Sequence, residues 1–432
     1  MRAFLIALMA FVSTPALAQT TAITGGKLVI GDGSAPIEGG TVVFANGRVI
    51  AAGRGVAVPA GATIIDAKGK WVTPGIVAGF SRLGLVGVDA VDPSNDASAG
   101  KSMFNAALDV APAINPSVAA IAINRAAGVT RAIVSPSAGE AIFAGQGAVI
   151  DTGNDVSPVT KAKAFQFVEF GEPGARRAGG ARTAVYLNFR AALAEARDYQ
   201  NSLRPMGMRP HDSKLSREDV VALVPVLLGT QRLLIHVESA TDILAVLELK
   251  RDYPALNLVL VGVTEGWRVA SQIAAAKVPV IASALNDLPD SFEQIAATQS
   301  NIGRMKAAGV NVAIGMIDDN DERQAQLSMQ YAGNLVALNK VPGATGLSWN
   351  DAFAAITSKP AEVIGMGAEI GSLRAGRRGD VVIWDGDPLE VTSAVEKVWI
   401  DGVAQSLTTR QTRLRARYAT PQEGALPKAF DR

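Results

Sequence analysis

Hydrophobic positions along the 432-residue chain fall into two textures. From Thr21 to Val72 the apolar residues come in short runs: KLVI (27–30), TVVFANGRVIAAG (41–53), ATIIDA (62–67) and KWVTPG (70–75). Runs of this length, bounded by Gly, Asn and Pro, predict strands, and Asn46-Gly47 inside the second run predicts a tight hairpin turn. The same texture returns in GDVVIWDGDPL (379–389) and AVEKVWIDGVAQ (394–405), where Asp401-Gly402 supplies another hairpin turn.

Between these ends the pattern changes to strands alternating with amphipathic helices. The strand GVTRAIVS (128–135) is followed by helix-like TAVYLNFRAALAEARDYQ (183–200) and EDVVALVPVLLG (218–229). Next come strand RLLIHV (232–237), helix TDILAVLELKRDY (241–253), strand LNLVLVGV (256–263) and helix EGWRVASQIAAA (265–276). Strand VPVIAS (278–283), helix SNIGRMKAAG (300–309) and strand VNVAIG (310–315) complete the series.

Such alternation predicts parallel strands with crossover helices, and about eight strand candidates before Gly315 favour a closed (β/α)8 TIM barrel over an open doubly wound sheet. The β stretches flank the barrel in sequence, so a small composite β-sandwich built from both termini is the economical arrangement. The expected units are 19–73 and 367–408 for the sandwich and 74–366 for the barrel. The basic tail 409–432 is expected to be a docked helix followed by a loose end, its charge run a solvated face.

The first twenty residues carry one basic residue, Arg2, an apolar run from Ala3 to Val12, and Ala16-Leu17-Ala18, a small-x-small cleavage pattern. A signal peptide of residues 1–18 and a periplasmic or secreted protein are expected. No later apolar stretch is long enough to predict a membrane span. The chain has no Cys, which excludes disulfides, zinc-thiolate sites and a lipid anchored on Cys. Its 41 basic residues nearly balance 40 acidic ones, so nothing points to nucleic acid as a partner.

Several ordered segments resemble the amidohydrolase superfamily, in particular its imidazolonepropionase-like group. They are WVTPGIVAG entering the first barrel strand, LLIHVESATDI at the fifth, VGVTEGWRVASQIAAAKVPVIAS at the sixth and seventh, and GVNVAIGMIDD at the eighth. The C-terminal run from Ala352 to Gly402, with Gly371, Gly376 and Gly379 at turns, resembles the return from the last barrel helix to the terminal β unit.

The resemblance implies a hydrolase of C–N bonds in amides, cyclic amides or dipeptide-like small molecules. It also implies one or two divalent metals at the C-terminal mouth of the barrel. The family holds them with His-x-His on strand one, a carboxylated Lys or a Glu on strand four, His on strands five and six, and Asp on strand eight as general base. The metal lowers the pKa of bound water towards ~7 and the carboxylate takes the proton.

Only two histidines exist, His211 and His236, so four imidazole ligands are impossible. The strand-one positions hold Ala78, Phe80 and Arg82, and the strand-six position falls on Gly262 or Val263. Phe80 cannot ligate, and the Arg82 guanidinium is a permanent cation. His236 occupies the strand-five ligand position, whereas His211 reads as a loop or lid residue.

Asp318 is favoured over Asp319 for strand eight, where Ile317 competes for the same place. Glu169 is the strand-four candidate, and Glu238 and Glu265 are further acids near the mouth. His236 and Asp318 imply at most one weakly held divalent metal such as zinc. In the alternative arrangement Arg82 replaces the metal charge and pairs with Asp318, while Phe80 fills the vacated space.

His236, Asp318 and Arg82 are thus the catalytic candidates, and Phe80, Glu265 and Glu169 the substrate-binding ones. Two functions follow: an exported amidohydrolase with an altered metal site, or an inactive binding protein or partner subunit of an active amidohydrolase paralogue.

Overall fold

The computed structural model describes residues 20–88, 90–202, 213–317 and 323–420. The expected signal segment, His211, Asp318 and Asp319 lie outside these residues.

The N-terminal segment forms β1 (Thr21–Leu28), β2 (Ile37–Ala45), β3 (Arg48–Gly53), β4 (Thr63–Asp66) and β5 (Trp71–Pro74). After Gly75 the chain runs straight into β6 (Ile76–Ser81), the first barrel strand. The barrel continues through β7 (Val129–Val134), β8 (Phe143–Asp151), β9 (Val159–Glu169), β10 (Arg232–Val237), β11 (Asn257–Gly262), β12 (Val280–Ala282) and β13 (Val312–Ile314). Three further strands, β14 (Val381–Trp384), β15 (Val395–Ile400) and β16 (Val403–Ala404), return to the N-terminal ones.

Hydrogen bonding joins the termini into one eight-stranded sheet of order β16-β15-β14-β5-β1-β2-β3, with β4 also on β1. The antiparallel pair β5–β14 is the seam between N- and C-terminal halves. Both predicted hairpin turns form: Asn46 and Gly47, then Asp401 and Gly402, all have positive φ. That backbone matches the twist of the flanking strands, which is why Asn-Gly and Asp-Gly occur there.

The second sheet has order β6 to β13 in sequence. It nearly closes: beyond β13 the Met316 N–H donates to the Phe80 carbonyl on β6 at 3.2 Å. One expectation is corrected. β8 runs antiparallel to both β7 and β9, so strands two to four form a meander without crossover helices. The loop 152–158 contains Gly153, Asn154 and Pro158, turn residues that suit a direct reversal. The remaining strands are parallel and helices follow them, giving a TIM-like barrel with one inverted strand.

Three barrel helices start at Ser216, Ser239 and Ser348, each hydroxyl accepting the N–H of the Asp three residues on. Each Ser-x-x-Asp cap is worth about 1 kcal/mol. The tail helix Arg410–Tyr418 also forms, capped reciprocally by Thr409 and Thr412. Its expected docking is corrected, because every residue from Arg410 to Thr420 is exposed. Leu414, Ala416 and Tyr418 are too few to make an apolar stripe that the body could cover.

Period-two alternation fills the barrel. Val77, Ile133, Phe165, Phe167, Leu234, Val259, Val261, Ile281 and Ala313 form one buried cluster, while their strand neighbours Ile76, Val134, Val168, Ile235 and Leu260 pack in the layer towards the helices. On β7 the same alternation sends Arg131 to the side of Ile133, at the end of the lumen away from the mouth. Arg131 has no exposed surface. It donates to Asp380 at 2.7 and 2.9 Å and to Thr160 Oγ1 at 2.9 Å, and lies 2.8 Å from Asp401 and 3.7 Å from Asp151.

The guanidinium loses solvation by burial, but the facing carboxylates more than offset this and hold it charged. Asp151 is pushed up to about 6, first by burial, with the Arg131 charge opposing the shift.

Arg131→Ala would leave Asp380 and Asp401 without their cation, and a loss of about 3–5 kcal/mol is expected in denaturant unfolding. For Asp151 the folded pKa lies above the unfolded one. Its proton-linked stabilisation is therefore complete below about pH 4 and lost as pH rises through about 6. Unfolding measured from pH 4.5 to 7.5 should show a shallower fall for Asp151→Asn than for the parent.

Candidate active site

At the C-terminal ends of the barrel strands, register decides which side chains meet. On β10, Leu234 faces the lumen, so His236 does too; the parallel ladder pairs it with Glu169 on β9 and Val261 on β11. Glu238, two residues further, returns to the same side.

His236 Nδ1 lies 2.7 Å from Glu169 Oε2, and Nε2 lies 2.9 Å from Glu238 Oε1. The three side chains are only 15, 12 and 6% exposed. Burial by itself would lower the His236 pKa, but the charge and hydrogen bond of Glu169, then those of Glu238, raise it well above the usual imidazole value. Glu169 answers in the opposite sense. Burial pushes it up, and His236, with Arg177 and Arg82 behind it, pulls it below the ordinary carboxylate value. The resulting state is an imidazolium donating one hydrogen bond to each carboxylate.

The sixth strand is shaped around this triad. A Cβ on Gly262 would sit 2.3 Å from Glu238 Oε1 and 2.9 Å from His236 Cδ2, and Gly262 has φ +89°. Val263 follows at φ +59°, a strained position for a β-branched residue. Its N–H donates to the Val237 carbonyl at 2.7 Å, and its carbonyl accepts from Asn301 Nδ2 at 2.9 Å. So held, the chain delivers the Thr264 N–H to Glu238 Oε2 at 2.8 Å.

The other candidate residues take distinct places. Phe80 is buried in the lumen, edge-on to Phe167 at 5.4 Å between centroids, and plugs the floor beneath the triad. Arg82 is buried just beyond it, and its charge acts on Glu169. The expected Arg82–Asp318 pairing falls outside the described residues. Glu265 is buried with both oxygens engaged: Oε2 accepts from the Ala240 N–H at 3.0 Å and Oε1 from the Ala296 N–H at 2.9 Å. It therefore ties two mouth loops together.

Sequence reasoning missed Glu293. Its Oε2 accepts the Glu172 N–H at 2.7 Å, and burial raises its pKa, only partly countered by that bond and by His236. It sits in the short 3-10 turn Phe292–Gln294, where no periodic pattern places it.

These residues do not fit the family's metal cradle. Phe80, Gly262 and Val263 offer no side-chain donor, and both ring nitrogens of His236 are already committed to carboxylates. Among the described residues, no group of three or more His, Cys, Asp or Glu side chains is arranged to hold an ion.

The amidohydrolase family model matches residues 267–404. Over 390 residues the chain is 25% identical to amidohydrolase tasK of Hapsidospora irregularis, covering 81% of this chain and 38% of that protein. It is 24% identical over 393 residues to imidazolonepropionase of Acidiphilium cryptum (strain JF-5), covering 82% of this chain and 89% of that one. These matches support a likeness to the amidohydrolase superfamily.

Among solved structures, an amidohydrolase from Thermotoga maritima MSB8 superposes on 90% of this chain and 100% of its own, with TM-score 0.78 and 23% identity. Phenylurea hydrolase B gives TM-score 0.55 at 17% identity, covering 95% of this chain and 100% of that one. Both likenesses are of fold.

His236→Gln would leave Glu169 and Glu238 buried without their cation, with an expected loss of about 3–5 kcal/mol in chemical denaturation. Gly262→Ala combines the contact with Glu238 and an unfavourable φ; a loss of at least about 1–3 kcal/mol is expected in the same measurement.

Proposed function

We propose that this chain is an exported amidohydrolase-superfamily hydrolase of carbon–nitrogen bonds in amides, cyclic amides or dipeptide-like compounds, working with an altered metal site. The family match and relatives named amidohydrolase and imidazolonepropionase support the reaction class. One observation carries the altered site: both nitrogens of His236 are occupied by Glu169 and Glu238. A protonated imidazole bonded on both sides has no lone pair for an ion.

In this reading the polar mouth orients the substrate amide. Arg82 is the electrophile that polarises its carbonyl, and Asp318 is the base that takes a proton from the attacking water. Phe80 contributes the apolar floor.

A second reading is a catalytically inactive binding protein or a partner subunit of an active amidohydrolase. The locked imidazolium favours it, because such a group is neither ligand nor base. The match to tasK, which spans only 38% of that longer protein, also suits a barrel that works beside other parts.

The readings separate by metal analysis of the purified protein together with assays on amides, hydantoin-like rings and dipeptides, before and after chelation. Hydrolysis that survives chelation and is lost in Arg82→Met is expected for the first reading. No turnover with any divalent metal selects the second. Zinc-dependent hydrolysis abolished by His236→Ala would overturn the altered site in both.

A further inference from the structure

Helix Arg410–Tyr418, sequence RQTRLRARY, follows the last strand of the terminal sheet. None of its residues is buried, although a nine-residue helix in water is marginal without packing. Its first turn holds Arg410 and no acid, so its positive end adds to the side-chain charge instead of being offset. Both features suit a helix completed by an anionic surface.

We propose that this helix is a peripheral docking element for a bilayer surface of anionic, phosphate-bearing lipid headgroups. Four charges, Arg410, Arg413, Arg415 and Arg417, fall within eight consecutive positions with no intervening acid. All four are arginine, whose planar fork binds phosphate oxygens two at a time.

Leu414 and Tyr418, four residues apart, share one face and are 39 and 67% exposed. Arg410 and Arg417 border that face, and the Arg417 guanidinium lies 5.4 Å from the Tyr418 ring centroid. An apolar ridge with an interfacial Tyr, bordered by long cationic side chains, is the anatomy of a helix lying in a headgroup layer. An acidic protein patch would satisfy the arginines, but it would leave the Leu414–Tyr418 ridge without an apolar counterpart. With so short a ridge the association is weak, reversible and mainly electrostatic.

The test is co-sedimentation of the full chain with vesicles of phosphatidylcholine alone or of equimolar phosphatidylcholine and phosphatidylglycerol. The parent is compared with Arg410→Gln/Arg413→Gln/Arg415→Gln/Arg417→Gln, so any contribution from the apolar residues 3–12 is common to both. Partitioning onto the anionic vesicles is expected to fall about tenfold or more in the quadruple variant and to weaken as salt is raised. Leu414→Ser/Tyr418→Ser is expected to give a smaller loss and keeps the test open if the quadruple variant misfolds. Equal partitioning of parent and quadruple variant, or no preference for anionic vesicles, overturns the proposal. So does self-association abolished by the quadruple variant with no vesicle binding.

Discussion

The pairing of Arg131 with Asp380 and Asp401 is the constraint around which the two sheets are arranged. A guanidinium without exposed surface is tolerable only if carboxylates meet it in good geometry, and here they come from the start of β14 and the turn after β15. The ion cluster therefore fixes how the terminal sheet sits on the closed end of the barrel. The β5–β14 seam and the direct passage from β5 into β6 become consequences of one docking geometry.

The open end is organised by a second buried cation. His236, held between Glu169 and Glu238, joins strands four and five, and Thr264 extends the network to strand six. Between the two cations lies an apolar lumen closed at the mouth by Phe80 and Phe167. The barrel interior thus carries charge at each end and hydrocarbon between.

Most of the architecture was legible from periodicity. The strands flanking Asn46-Gly47 and Asp401-Gly402 and the parallel strands β10 to β13 follow from alternation and turn chemistry. The inverted β8 was not, because an apolar run specifies a strand without specifying its direction. Glu238 carried a weak signal, lying two residues beyond His236 and so on the same side of an extended chain. Glu169 was named for strand four, but only the ladder register set it beside His236, and Glu293 needed the path of a single 3-10 turn. The tail helix was foreseen but not its exposure, since propensity and capping form a helix whether or not anything covers it.

By itself the sequence determined which chemistry was impossible. With two histidines and no cysteine, a site of four imidazoles or of thiolates was excluded before any contact was known. Only the tertiary structure decided what surrounds His236. A side chain's charge state depends on the groups within hydrogen-bonding reach, and strands distant in sequence brought Glu169 and Glu238 to either side of one imidazole.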